Sequence, residues 1–328
     1  MRRGFFVMKQ FLMVFLIGMM IPYITTLAWT GKSEKMENGS QSAAAAEPAG
    51  SKVDNNGKKV IVIRNGRETE ISVEEFLPYV LAAQIPSDFE METLKAQAVL
   101  ARTYIYREIE AAGLGDFIFE EALDMDARSV EQMKGFWGNS EWIKWYERLG
   151  QAAAETAGMV LTFEGSYVEP LFCYASSGTT RTRGEGYPYL KQTASPSDLL
   201  AANYRNILEF TAAEMAVRIN EIPDGVDVTG NQLPMEIQIV ERDSAGYVVQ
   251  IQVGQKTYTG EEIQYALGLP SACYSFEQEK GKIRVVCKGI GHGYGFSQFG
   301  ANEMAKEGKT YPELLDYYFQ NVEIMRRL

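Results

Sequence analysis

The apolar and polar positions along the chain change period several times, and each change predicts an element. Short alternating runs at 60–64 and 68–72 flank Asn65-Gly66, a dipeptide suited to the left-handed residues of a tight hairpin turn. Ser72 and Glu75 have the spacing of a capping box, and the run through 79–84 predicts a helix. That helix should end at Ile85-Pro86, because the residue before a proline is pushed out of the helical region. Pro78 predicts a kink or a delayed start within it. Ser87-Asp88-Phe89-Glu90 repeats the capping spacing and predicts a long helix over 91 to about 112. Leu94, Ala98, Ala101 and Ile105 recur there at helical intervals and should face the core, leaving Lys95, Gln97, Arg102 and Tyr104 for other faces. Gly113 and Gly115 end that helix, and Ser140 should cap a further one over 141–157, stopped by Gly158.

From 159 the period falls to two. Strands are predicted at 159–163 and 167–174 around a Glu164-Gly165 turn, and the polar stretch 175–200 as a long surface loop. A short helix over 214–220 precedes strands at 236–240, 246–253, 256–258, 273–277 and 282–287, and helices over 302–307 and 311–319 close the chain. Helices segregated from mostly antiparallel strands define an α+β fold.

Composition changes the picture mainly at the N-terminus. Arg2, Arg3 and Lys9 precede an uncharged run over 10–30, long enough to cross a hydrocarbon core of about 30 Å. The flanking positive charge would leave the N-terminus in the cytoplasm and the remainder outside the cell membrane. The length favours a single-pass anchor, while Thr26-Leu27-Ala28 offers the rival of a cleaved signal and a secreted protein. Residues 31–57, rich in Gly, Ser, Ala and charge, read as a flexible linker, so 58–328 form one large extracytoplasmic domain. A net charge of −11, with no dense basic cluster beyond the N-terminus, argues against nucleic acid as a partner. Of the three cysteines, Cys273 and Cys287 bracket a hairpin; centred on Lys280 it would face them across the ladder, and an oxidising compartment makes a disulfide the candidate outcome. Two small buried thiols are the ordinary alternative. Cys173 would stay unpaired.

Candidate chemistry concentrates in 289–301, where five glycines surround His292, the only histidine of the chain, with Ser297 and Gln298 following. Glycine permits left-handed backbone and close approach to a ligand. A binding loop and a Gly-rich turn with a structural histidine explain the run equally well.

Three stretches together resemble the family of stage II sporulation protein D and the related amidase-enhancer domains. They are Tyr79-Val80-Leu81-Ala82-Ala83-Gln84-Ile85-Pro86 leading into Leu94-Lys95-Ala96-Gln97-Ala98-Val99-Leu100-Ala101-Arg102-Thr103-Tyr104; Ser176-Ser177-Gly178-Thr179-Thr180 with Tyr187-Pro188-Tyr189-Leu190-Lys191; and 291–301. The resemblance implies a membrane-anchored protein acting on peptidoglycan at engulfment during sporulation, as a lytic transglycosylase. In such an enzyme one carboxylic acid protonates the glycosidic oxygen, then accepts the proton of the sugar's own 6-hydroxyl as a 1,6-anhydro ring closes; burial keeps that acid protonated near neutral pH. The family's acid belongs to an Ala-Glu-Met-Pro step, and this chain carries Gln84 there, a side chain that cannot transfer a proton at neutral pH. Asp88 and Glu90 are the alternative acids, although both suit the first turn of a helix.

The resemblance further implies substrate contacts from Lys95, Arg102, Ser176, Thr180, His292, Ser297 and Gln298, with Lys95 and Arg102 suited to a lactyl carboxylate. Solvated helix charges are the bland explanation of those two cations. Arg181 and Arg183 sit in the polar loop with the same ambiguity, and Tyr294, Phe296 and Phe299 are stacking candidates or buried aromatics. Implied partners are peptidoglycan glycan strands, a sporulation amidase and other engulfment membrane proteins. The second functional class is a non-catalytic glycan-binding module that recruits or enhances that amidase. No cofactor is expected, and one histidine with a distant cysteine is too little for a tetrahedral zinc site, so no metal is expected either.

Overall fold

The computed structural model describes residues 57–327, apart from 65, 224 and 226. The apolar run 10–30, all but the last residue of the 31–57 linker, and Asn65 of the first turn lie outside the described residues. Among the described residues, no helix is long and apolar enough to cross a membrane.

Strands β1 (Lys59–Arg64) and β2 (Arg67–Ser72) form the expected antiparallel hairpin, and β3 (Phe117–Phe119) joins β1 in parallel. Ser72 and Glu75 make the reciprocal capping bonds that start α1 (Val73–Gln84), and Ile85 ends it in extended conformation. Pro78 lies inside α1 without delaying its start.

Helix α2 (Met91–Ala112) buries Leu94, Ala98, Ala101 and Ile105 as their spacing predicts. Two expectations about it need correction. Its N-cap is Glu90 without a side-chain bond, so the Ser87–Glu90 box does not form; the Glu90 N–H instead donates to Asn302 Oδ1 at 2.7 Å. Gln97 and Arg102 are not on open faces but fully buried, because α2 is packed on several sides at once.

The sequence reading misses α3 (Val130–Trp137), although Ser129 and Gln132 form a complete capping box, and β3 with it. Helix α4 (Trp142–Glu155) starts after Glu141 with no side-chain cap, so Ser140 does not serve as expected. Strand β4 (Met159–Phe163) is flanked by β5 (Ser166–Tyr167) and the C-terminal β14 (Glu323–Arg326).

A second core fills 205–288. Strands β7 (Arg205–Phe210), β11 (Tyr274–Glu279) and β12 (Lys282–Lys288) form one antiparallel sheet, and β8 (Ile237–Arg242), β9 (Val248–Val253) and β10 (Lys256–Thr259) another. With α5 (Ala212–Asn220) and α6 (Gly260–Leu267) they enclose Tyr247, Ile251, Ile263 and Val285. The mixture of helices with predominantly antiparallel strands is the expected α+β class.

The β11–β12 turn holds two residues, Lys280 and Gly281, both at positive φ, so Glu279 pairs with Lys282 and Tyr274 with Cys287. A turn centred on Lys280 alone would have set Cys273 opposite Cys287; the actual register is one residue away, and all three thiols are free. Burial pushes the Cys287 thiol up to about 12. Alkylation of the denatured protein without reductant is therefore expected to add three labels by mass; a single label would restore the disulfide.

Strand β6 (Phe172–Cys173) runs parallel to β13 (Phe296–Ser297), which leads directly into α7 (Gln298–Lys306); α8 (Tyr311–Tyr318) follows. The 175–200 stretch is not the surface loop its polarity suggests. Ser176, Thr180, Arg181, Leu190, Ser195 and Asp198 are buried, because the polar groups of this segment satisfy one another and the 289–297 loop.

Candidate functional site

Three glutamine amides meet where α1 ends. Gln97 Nε2 of α2 donates to Gln84 Oε1 at 3.0 Å. Gln298 Nε2, at the start of α7, donates to the Gln84 backbone carbonyl at 2.9 Å and to Gln97 Oε1 at 3.2 Å. Gln97 and Gln298 are buried and Gln84 half-buried, and Gln84 Nε2 makes no hydrogen bond to the protein among the described residues. The network thus fixes the amide with its acceptor inward and leaves its donor uncommitted.

The turn after Gln84 is held from two distant elements. Arg148 of α4 donates to the carbonyls of Ser87 (3.1 Å) and Phe89 (2.7 Å), and Asn302 of α7 takes the Glu90 N–H. Asp88 and Glu90 stand exposed on that turn. Beside it Phe89, Tyr174 and Phe299 form an aromatic row, with both ring separations 6.3 Å.

Behind the amides lies a carboxylate that no sequence motif marks. Asp198 is wholly buried and accepts from Ser176 N–H (2.8 Å), Ser176 Oγ (2.5 Å) and Ser297 Oγ (2.7 Å). Ser195 reaches the same group and also bonds Tyr318. Asp198 therefore ties the 175–200 segment to the residue preceding Gln298. Burial pushes its carboxyl above the ordinary range, and the serine hydrogen bonds hold it partly back. The native state then binds a proton more tightly than the unfolded chain, so this group's contribution to stability falls as pH rises from about 3.9 through its raised native value. Asp198→Asn should lose that slope, read as a flatter dependence of the unfolding midpoint on pH than in the unmodified protein; equal slopes would contradict the assignment.

The 289–297 loop runs along 171–181. Gly289, Gly291, Gly293 and Gly295 all have positive φ, and a Cβ at Gly293 or Gly295 would collide with the Tyr247 ring or the Leu171 carbonyl. His292 Nδ1 accepts the Tyr294 N–H at 3.0 Å, which leaves any ring proton of the neutral form on Nε2. Burial, with Arg181 and Arg183 nearby, depresses its pKa to about 4, so the imidazole is neutral in the physiological range. Arg181 sits between the Tyr247 and Tyr294 rings (4.7 and 4.4 Å) and pairs with Asp243 and Glu261. Arg183 pairs with Glu169.

Gln84, Gln97, Ser297 and Gln298 are thus brought together, with Ser176 joined to them through Asp198. Thr180 is buried and bonded to Thr193, Phe296 is in the core, and His292 belongs to the Arg181 cluster. Lys95 is committed to Glu92 (2.7 Å) and Glu155 (2.6 Å). Arg102 spends all five N–H donors internally: two on Glu74, and others on Thr156, Met159 and Ala153. The expectation that Arg102 receives a ligand carboxylate is corrected on that ground. Among the described residues, no group of three or more His, Cys, Asp or Glu side chains is gathered as a metal site would require.

Residues 65–163 match the family model described as "Stage II sporulation protein". The chain is 34% identical to stage II sporulation protein D of Bacillus subtilis (strain 168) over 77% of its own length and 74% of that protein. It is 33% identical to the protein of the same name from Bacillus amyloliquefaciens, with the same coverage. The amidase enhancer of Bacillus subtilis (strain 168) is a more distant relative, 22% identical over 73% of this chain and 39% of that protein. The chain belongs to the stage II sporulation protein D family.

Proposed function

We propose that the protein binds peptidoglycan glycan strands at engulfment without cutting them, and recruits or enhances a cell-wall amidase there. The observation that carries this reading is the Gln84 amide, clamped by Gln97 and Gln298 with a free donor outward. An amide so held can hydrogen-bond a sugar oxygen but has no proton to give a leaving group. Asp198, the enclosed carboxylate nearby, is fully engaged by serine donors and has no path to a substrate. The half-buried rings of Tyr174 and Phe299, packed on the buried Phe89, support a ligand with apolar ring faces. The amidase role follows the name of the distant relative, and the 10–30 run would anchor the domain outside the cytoplasmic membrane.

Mixing the full-length protein with strands stripped of stem peptides tests this reading. The expected result is co-sedimentation without 1,6-anhydro ends by mass spectrometry. Appearance of those ends would overturn it and make Asp88 and Glu90 the acids to substitute. Absence of both binding and cleavage would reduce the protein to a structural link.

A further inference from the structure

The helical hairpin of α3 and α4 carries a feature that the amide cluster does not use. Arg128 lies 4.0 Å over the Phe136 ring, Lys134 5.3 Å over Trp142 and Lys144 4.7 Å over Trp145. None of these three cations has a carboxylate oxygen within 4.0 Å among the described residues, unlike Lys95, Arg102 and Arg181. Arg128 Nη1 is buried with no hydrogen-bond partner, an uncompensated donor beside a ring that is 64% exposed.

This hairpin is continuous with the candidate site. Tyr79, Trp137 and Tyr146 are partly buried against the same apolar cluster that contains Ile85 and Phe89, on either side of Gln84 in the chain. The Arg128 N–H donates to the Tyr79 carbonyl at 2.9 Å, and the Tyr79 and Tyr146 rings meet edge-on at 5.5 Å. Tyr79 precedes Gln84 by five residues of α1, about 7.5 Å along the axis.

Charge decides which ligand the strip suits. Over 126–148, Asp126, Glu131, Glu141 and Glu147 balance Arg128, Lys134, Lys144 and Arg148, so the hairpin is not a cationic surface for an anionic bilayer. Isolated cations among aromatic side chains match a polymer with apolar C–H faces and single carboxylates at intervals. We propose that this strip is a second glycan-binding surface, which takes the rings of a strand on its aromatic side chains and the strand's carboxylates on Arg128, Lys134 and Lys144. The proposal rests on the glycan-binding reading above and extends its footprint along the strand.

Affinity of the full-length protein for stripped glycan, measured from disaccharide to long strands, tests it. Wild-type affinity should rise with strand length, and Arg128→Met with Phe136→Ala should weaken long-strand binding about tenfold. An unchanged thermal midpoint is expected because Phe136 is solvent-exposed and methionine retains the arginine's apolar stem. Met235→Gln, at an 89% exposed side chain outside the hairpin, should bind as wild type. Undiminished long-strand affinity in the double variant overturns the strip and leaves the glycan reading standing. So does loss of binding to phosphatidylglycerol vesicles with strand affinity retained, which would make the hairpin a membrane contact. Failure of the wild type to bind glycan of any length removes the underlying reading, and the strip with it.

Discussion

Gln84→Glu is expected to turn the protein into a glycan-cleaving enzyme, raising formation of 1,6-anhydro ends by about 10²–10⁴-fold, the usual contribution of a general acid. The geometry is already prepared for it. Glutamate is nearly isosteric, so one carboxyl oxygen would take the place of Oε1 and accept from Gln97 at about the present 3.0 Å. The other would stand where Nε2 now has no partner among the described residues, and in the protonated acid it would carry the proton toward the glycosidic oxygen. After bond cleavage the same oxygen is placed to take the 6-hydroxyl proton as the ring closes. Mass spectrometry of the digested strands reads the outcome. An inactive variant that still binds glycan as wild type would mean that the clamp, not the missing proton, sets the wrong geometry for cleavage.

Arg102→Met is expected to cost about 3–5 kcal/mol of folding stability, the range for breaking one half of a buried ion pair. Arg102 has no solvent exposure, and Glu74, which holds it through both carboxylate oxygens, would keep only the Gly158 N–H as a hydrogen-bond donor among the described residues. The carbonyls of Ala153 and Met159 would lose their donors as well. Removing both charges with Arg102→Met and Glu74→Met should recover part of the loss, since a paired burial is often no better than an apolar one. Urea denaturation measures both variants. A loss below about 1 kcal/mol in the single variant would show that water reaches Glu74 and compensates it.

Much of the fold was legible because its signals are local. The Ser72–Glu75 box, the proline after Ile85, the apolar stripe of α2 and the positive-φ glycines of the 289–295 loop each act within a few residues. Failures came where distant partners decide. Ser87 offered a plausible cap, yet Asn302, more than 200 residues away, takes the N–H of Glu90. Arg102 looked like a free cation until Glu74, Thr156 and Met159 closed around it. The cysteine pairing failed on a single residue of register, which a two-residue turn settles and composition does not. Gln84, Ser176, Ser297 and Gln298 were visible through the motifs that resemble the family, whereas Asp198 lies in a polar segment whose composition resembles any exposed loop.

The three amides also bear on the order in which the molecule becomes competent. Gln84 and Gln97 are 13 residues apart in sequence, but Gln298 lies 214 residues beyond Gln84 and reaches both from the start of α7. The turn at Ser87–Glu90 likewise waits for Asn302. A growing chain can form α1 and α2 before α7 is made, since their backbone hydrogen bonds are local, while the long-range closure pays its loop entropy only once α7 has been added. Ligand recognition at Gln84 is thereby coupled to the arrival of α7: a chain interrupted before that helix presents a loose glutamine and no assembled site.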